Sequence, residues 1–216
     1  MITIGITGGV GAGKSSVLTM IGEYCDSRAI PAVLLETDKV ARALQRKGER
    51  VFQEIVHAFG RGVVGEDGEL NRQMLADLVF HDEEKLKRLN LIVHPAVKQD
   101  VRKAQQEAKQ SGVKLFVIES ALLLENEYDQ ICDAVWLVTA EQPERIRRLA
   151  ASRGYTEAKS RSIMSNQSLE SEWLERCSAV IDNSGTPERT RAQVRRFLDA
   201  YFVSEPDRSE GNEKIK

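Results

Sequence analysis

A chain of 216 residues, 41% hydrophobic and 30% charged, can fill one core and carry at most a small inserted unit. Its formal net charge of -2 excludes a general electrostatic pull toward nucleic acid or an anionic membrane. No apolar run approaches the ~20 residues of a membrane span, and the first strand leaves no room for a leader. Cys25, Cys132 and Cys177 are scattered, as suits reduced thiols. A cytoplasmic chain is expected, a monomer or weak homo-oligomer with no nucleic-acid or membrane partner.

The chain opens with Ile2, Ile4 and Ile6 alternating with Thr3 and Gly5, which predicts a short strand. Gly8-Gly9-Val10-Gly11-Ala12-Gly13-Lys14-Ser15 follows and fits G-x-x-x-x-G-K-[ST]. Val17, Met20, Ile21 and Tyr24 then recur at helical spacing. Glycines between a strand and a helix can turn backbone N–H groups around an anion, and the helix N-terminus adds its free donors and dipole. Lys14 would neutralise the β- and γ-phosphates, and Ser15 would put its hydroxyl on Mg²⁺.

Residues 32–35 predict a second strand, and Glu36-Thr37-Asp38 follow it directly. Ligands of a doubly wound sheet sit at the carboxyl ends of its strands. Asp38 can therefore orient an attacking hydroxyl and accept its proton, or simply cap the helix carrying Val40, Ala41 and Leu44. Three apolar stripes come next: Val51 to Phe59, Met74 to Val79, and Leu86 to Val93. Turn residues at 60–68 part the first two, and Pro95 is expected to interrupt the third. Residues 48–112 thus predict a helical insertion holding a second substrate.

A third strand is predicted at 115–118, ending on Glu119, where an acid can hold Mg²⁺ directly or through water, or do nothing. A fourth at 134–138 leads into Arg145, Arg147, Arg148 and Arg153. These are a lid over ATP at about 143–170, or one solvated helix face. A fifth strand at 179–181 is followed by Asp182-Asn183-Ser184-Gly185, whose likeness to the D-x-x-G of GTPases is coincidental because no N-K-x-D motif occurs. Thr186 and Pro187 start a last helix burying Val194, Phe197, Leu198 and Tyr201. Residues 204–216 are polar and aromatic-free, a tail expected to lack fixed structure. The sum is an α/β chain: a five-stranded parallel sheet covered on both faces, with an inserted helical subdomain.

Several segments together resemble dephospho-coenzyme A kinases. Residues 5–15 are similar to that family's G-[IL]-T-G-G-I-G-S-G-K-S, and Asp67-Gly68-Glu69-Leu70-Asn71-Arg72 to its D-G-x-L-[ND]-R. Leu89-Asn90-Leu91-Ile92-Val93-His94-Pro95 is similar to L-N-x-I-x-H-P, Leu122-Leu123-Leu124-Glu125 to L-L-F-E, and Ile181-Asp182-Asn183-Ser184-Gly185 to I-D-N-x-G. Gln167 stands where the family has a late Gln. The family's D-A-D reads Glu36-Thr37-Asp38, its D-x-P-L-L-F-E starts at Glu119 without the proline, and its lid arginines, normally four apart, stand at Arg148 and Arg153.

The resemblance implies a three-layer P-loop kinase fold over residues 1–203, with the inserted helices as substrate domain and a lid, and transfer of the ATP γ-phosphoryl to the ribose 3′-hydroxyl of dephospho-CoA, the last step of coenzyme A synthesis. It implies that Gly9, Val10, Gly11, Ala12, Gly13, Lys14, Ser15, Ser16, Arg147, Arg153 and Asn183 bind ATP. Lys14, Asp38 and Arg148 would be catalytic. Glu36, Arg72, Asn90, His94, Leu123 and Glu125 would serve the substrate side, and Ser15 and Glu119 would hold Mg²⁺. Without the resemblance, the residues leave open another P-loop small-molecule kinase, such as one for nucleoside monophosphates, or a nucleotide-binding module without catalysis.

Overall fold

Runs of Ile, Val, Leu and Phe flanked by helical patterns give strands covered on both faces. In the computed structural model, which describes residues 1–80, 82–165 and 170–202, these runs are β1 (Ile2–Thr7), β2 (Ala32–Glu36), β3 (Leu115–Glu119), β4 (Ala134–Thr139) and β5 (Ala179–Asp182). Among the described residues they form one parallel sheet in the order β2-β3-β1-β4-β5. The chain leaves β1 to one side, returns beside it as β3, then crosses to its other side as β4. The carboxyl end of β1 is therefore the switch point of the sheet, where an open crevice forms. Each strand runs slightly past its apolar run, so that Glu36, Glu119 and Asp182 close β2, β3 and β5.

The helices are α1 (Lys14–Ser27), α2 (Thr37–Leu44), α3 (Arg50–Phe59), α4 (Arg72–Phe80), α5 (Glu83–Gln110), α6 (Gln142–Arg153), α7 (Glu157–Ser165), α8 (Glu170–Leu174) and α9 (Pro187–Phe202). Alternation along the strands sorts the core into two layers. Ile4, Ile6, Leu115, Val117, Trp136 and Val138 pack with α1 and α9. Phe116, Ile118, Leu123 and Leu137 pack on the other face with Val51, Ile55, Leu75, Val93, Val97 and Val101 of the insertion. The inserted helices thus share one core with the sheet. Gln167 and the tail at 204–216 lie outside the described residues, as do 166–169 of the lid stretch.

Pro95 does not interrupt its helix: α5 runs through it for 28 residues. Proline removes one i→i−4 bond, here to Leu91, and both residues lie on the exposed face, where water can take the freed carbonyl. The buried Val93, Val97 and Val101 hold the helix on either side. Asp82 caps its start, accepting a hydrogen bond from Lys85 N at 3.0 Å. Some predicted core positions are exposed: Met74 at 48%, Leu86 at 43% and Tyr201 at 41%. Tyr201 sits in the last turn of α9, where Phe202 takes the partly buried place instead.

The shared core carries a prediction. Ile55, on α3, is fully buried against the sheet-side cluster. Ile55→Ala should cost about 2–5 kcal/mol and shift a single unfolding transition of the whole molecule. Chemical denaturation followed by two probes tests this. Two transitions, only one of them displaced, would show that the insertion melts on its own.

Candidate functional site

Gly13 is the N-cap of α1 and sits in the left-handed region at φ 94°, which glycine adopts without strain. It offers no side-chain cap, and no acid stands in the first turn of α1. The first N–H groups of the helix are thus left for an outside acceptor, with the positive end of the helix dipole behind them. Ser15 and Ser16 lie exposed in that turn. Lys14 folds back over the loop, donating from Nζ to Gly8 O at 2.9 Å and Gly9 O at 3.4 Å.

Lys14 is the electrostatic centre of the site. Burial pushes its ammonium below the ordinary lysine range; the charges of Glu119 and Asp38 pull it back, and those of Arg145 and Arg153 push it further down. Glu119 shows the reverse. Burial raises its carboxyl, Lys14 opposes that, and Asp38 and Glu36 add to it. The sheet register explains the grouping. Ile6, Glu119 and Glu36 lie side by side across β1, β3 and β2. Alternation puts both acids on the face of Leu115, Val117 and Leu34, which is the α1 side. Glu36 is also held by Lys39 at 2.6 Å.

No turn separates β2 from α2. Glu36 ends the strand, Thr37 begins the helix, and Asp38 lies exposed in its first turn. Asp38, His94, Ser120, Leu122 and Asn126 line a cleft of about 200 Å³ between α2, α5 and the turn after β3. The His94 ring is hydrogen-bonded to the Asn126 side chain, and burial lowers its basicity. On the same side of α5, His94 and Asn90 line an adjoining groove with Leu86 and Leu91. His94 thus borders both spaces, the cleft with Asp38 and the groove with Asn90.

Other expected residues stand elsewhere. Leu123 is fully buried, its methyls over Gly5 and near Cys132, so it packs in the core rather than facing the cleft. Arg72 is exposed and donates to Gln45 Oε1 at 3.2 Å. Glu125 is exposed on the turn after β3. Arg147 is exposed and forms a two-pronged pair with Glu144 at 2.8 and 2.7 Å, holding that carboxyl down at about 2. Arg153 ends α6, its guanidinium 5.9 Å from the Tyr155 ring.

Arg148 and Asn183 bind the loop itself. Arg148 donates to Ala12 O at 3.1 Å, to Asn183 O at 2.7 Å and to Glu144 Oε1 at 2.8 Å. Asn183 donates from Nδ2 to Ala12 O at 2.8 Å, while its Oδ1 accepts from Thr190 Oγ1 at 2.9 Å. Sequence reasoning passed over Thr190 and Asn126 as site residues, and grouped Arg145 with the lid arginines or a solvated helix face. Arg145, 9% exposed, donates from Nε to Val10 O at 2.8 Å. Its spacing from Arg148, one helical turn, was the signal available in the sequence.

Among the described residues, no three His, Cys, Asp or Glu side chains converge as a metal cage. Mg²⁺ does not require one: it keeps several waters and takes one or two carboxylates besides phosphate oxygens. Ser15, Glu36 and Glu119 are hard oxygen donors of that kind. No helix among the described residues is long and apolar enough to cross a membrane.

The family described as dephospho-CoA kinase matches residues 2–188. A dephospho-CoA kinase of Geobacillus kaustophilus is 38% identical over 204 residues, 94% of this chain and 98% of the relative. The crystal structure of TT1252 from Thermus thermophilus superposes with a TM-score of 0.77 at 30% identity, covering 94% of this chain and 98% of that one. A dephospho-CoA kinase from Campylobacter jejuni shares the fold at a TM-score of 0.65 and 16% identity, over 92% of this chain and 96% of that one. A family match along nearly the whole chain, with a relative 38% identical over 94% of it, leads to one assignment: the chain belongs to the dephospho-CoA kinase family.

Proposed function

We propose that this enzyme transfers the γ-phosphoryl group of ATP to the ribose 3′-hydroxyl of dephospho-CoA, giving CoA and ADP, in the cytoplasm. The observation that carries the reading is the double placement of Asp38. It lines the cleft with His94, and its charge acts on Lys14 in the loop. One carboxylate would thus serve both an acceptor and the phosphate end of a nucleotide.

In this reading the N–H groups of residues 9–16 take the β- and γ-phosphates, and Lys14 leaves its two carbonyl partners to meet the charge spreading over the transferring group. Asp38 orients the hydroxyl and accepts its proton as the new P–O bond forms. Asn90 and His94 belong to the acceptor side, and the adjoining groove takes the longer arm of the substrate. Arg147 and Arg153 close over ATP, whereas Arg148 and Asn183 keep Ala12 in place. Ser15 and Glu119, with Glu36 through water, would hold Mg²⁺. When bound, that ion would supply positive charge to offset that of the phosphates.

Three outcomes follow. Lys14→Ala should lower kcat by roughly 10²-fold or more, about 2.7 kcal/mol of transition-state stabilisation; near-normal turnover would remove the loop from the chemistry. Asp38→Asn should keep ATP binding while losing most turnover, and Glu119→Gln should instead raise the Mg²⁺ concentration required. Calorimetry with ATP and turnover across a Mg²⁺ series separate the two, and a fully active Asp38→Asn would reassign the base. Finally, dephospho-CoA should exceed AMP and adenosine by at least ~10³-fold in kcat/KM, about 4 kcal/mol of differential binding. A coupled assay of ADP release decides it, and AMP as the better acceptor would make this a nucleotide kinase.

A further inference from the structure

A loop that turns its N–H groups inward toward an anion must turn carbonyls outward, and a buried carbonyl needs a donor. In residues 8–15 Lys14 covers Gly8 O and Gly9 O, and the donors for Val10 O and Ala12 O come from outside the loop. Arg145 Nε takes Val10 O at 2.8 Å. Arg148 Nη1 and Asn183 Nδ2 take Ala12 O at 3.1 and 2.8 Å. Arg145 is the most deeply buried of these arginines at 9% exposure. Its guanidinium lies against Gly9, where an added Cβ would overlap it. Gly9 does not have a positive φ, so glycine is needed there for room rather than for conformation. Arg145 also reaches Gly11, its carbonyl O 2.9 Å and its Cβ 3.2 Å from an added Cβ, and Leu149 Cγ, one turn further along α6, stands at 3.2 Å. The first turns of α6 therefore rest directly on the outer wall of the loop.

We propose that Arg145 is a positioning residue for phosphate binding: it holds Val10 O outward, covers Gly9, and so fixes the loop N–H groups toward the nucleotide. The inference rests on the reading of residues 8–15 as the ATP site. Arg145 differs from the lid residues Arg147 and Arg153, which are exposed at the surface of α6, because it is buried and bonded to the loop itself. Its buried charge also adds to the attraction for phosphate, and it opposes the ammonium of Lys14. Only a guanidinium combines the side-on Nε donor with a flat face that fits over a glycine.

The test is ATP affinity by calorimetry, with Mg²⁺ and without acceptor, beside steady-state kinetics. Arg145→Met should weaken ATP binding and raise the KM for ATP by about tenfold or more, with the KM for dephospho-CoA unchanged. Arg145→Lys should recover part of this, because it keeps charge but not the Nε geometry. Gly9→Ala should reproduce the loss by displacing the guanidinium, and adding it to Arg145→Met should cost little more. Wild-type ATP affinity in Arg145→Met, or losses that multiply in the double variant, would overturn the proposal. If Arg145→Met does not fold by circular dichroism, Gly9→Ala alone carries the test, since it keeps the arginine. Lys14→Ala run in parallel distinguishes the two failures. If it too binds ATP normally, the ATP-site reading has failed; if it binds weakly while Arg145→Met does not, only the positioning role has.

Discussion

The backbone of residues 8–15 can present its N–H groups to an anion only if its carbonyls are taken by something else. In this molecule the second half of that requirement organises much of the structure. Lys14 Nζ covers Gly8 O and Gly9 O, Arg145 covers Val10 O, and Arg148 with Asn183 covers Ala12 O. These donors come from α1, α6 and the turn after β5. An anion site at one turn therefore depends on elements that the chain adds well over a hundred residues later. Net hydrogen bonds of this kind are worth about 1 kcal/mol each, but a buried carbonyl left without a donor costs ~1–3 kcal/mol. The value of the arrangement lies in keeping one loop shape.

Charge balance around the loop follows from the sheet. Parallel strands end at one edge, so any acid that closes a strand faces the same crevice. The register places Glu36 beside Glu119 and Glu119 beside Ile6 at the mouth of the loop. Two neighbouring carboxylates would repel, and Lys39 and Lys14 relieve this from opposite sides. Lys14 in turn stands between these acids and the guanidinium of Arg145. A site with charges so closely set is poised for a ligand bringing both anionic phosphates and a cation, because each finds a complement already in place.

The acceptor side is built differently. Its polar residues sit on α5, a helix whose inner face is the shared core of Val93, Val97 and Val101. His94 follows the buried Val93 directly and turns toward Asn126 and Asp38. Packing of α5 on the sheet thus sets the position of the acceptor residues relative to the loop. The exposed apolar side chains of Leu86 and Leu91 line the adjoining groove without covering it.

Sequence alone determined the strand count, the parallel α/β class and the phosphate loop, because these depend on local pattern: unbroken branched apolar runs, helical stripes and glycines at fixed spacing. It also brought Asp38, Asn90, His94 and Arg148 into view through short family-like segments. It misjudged Pro95, since a proline on the exposed face of a helix anchored on both sides by core contacts loses to that packing. It grouped Leu123 with the site, although a leucine beside a strand glycine reads the same whether it faces a cleft or the core. The role of Arg145 could not be separated from that of its neighbours in an arginine-rich helix. Which arginine points inward depends on how α6 is rotated against residues 8–15, and only the tertiary structure, by seating Arg145 on Gly9 and Leu149 on Gly11, decided that.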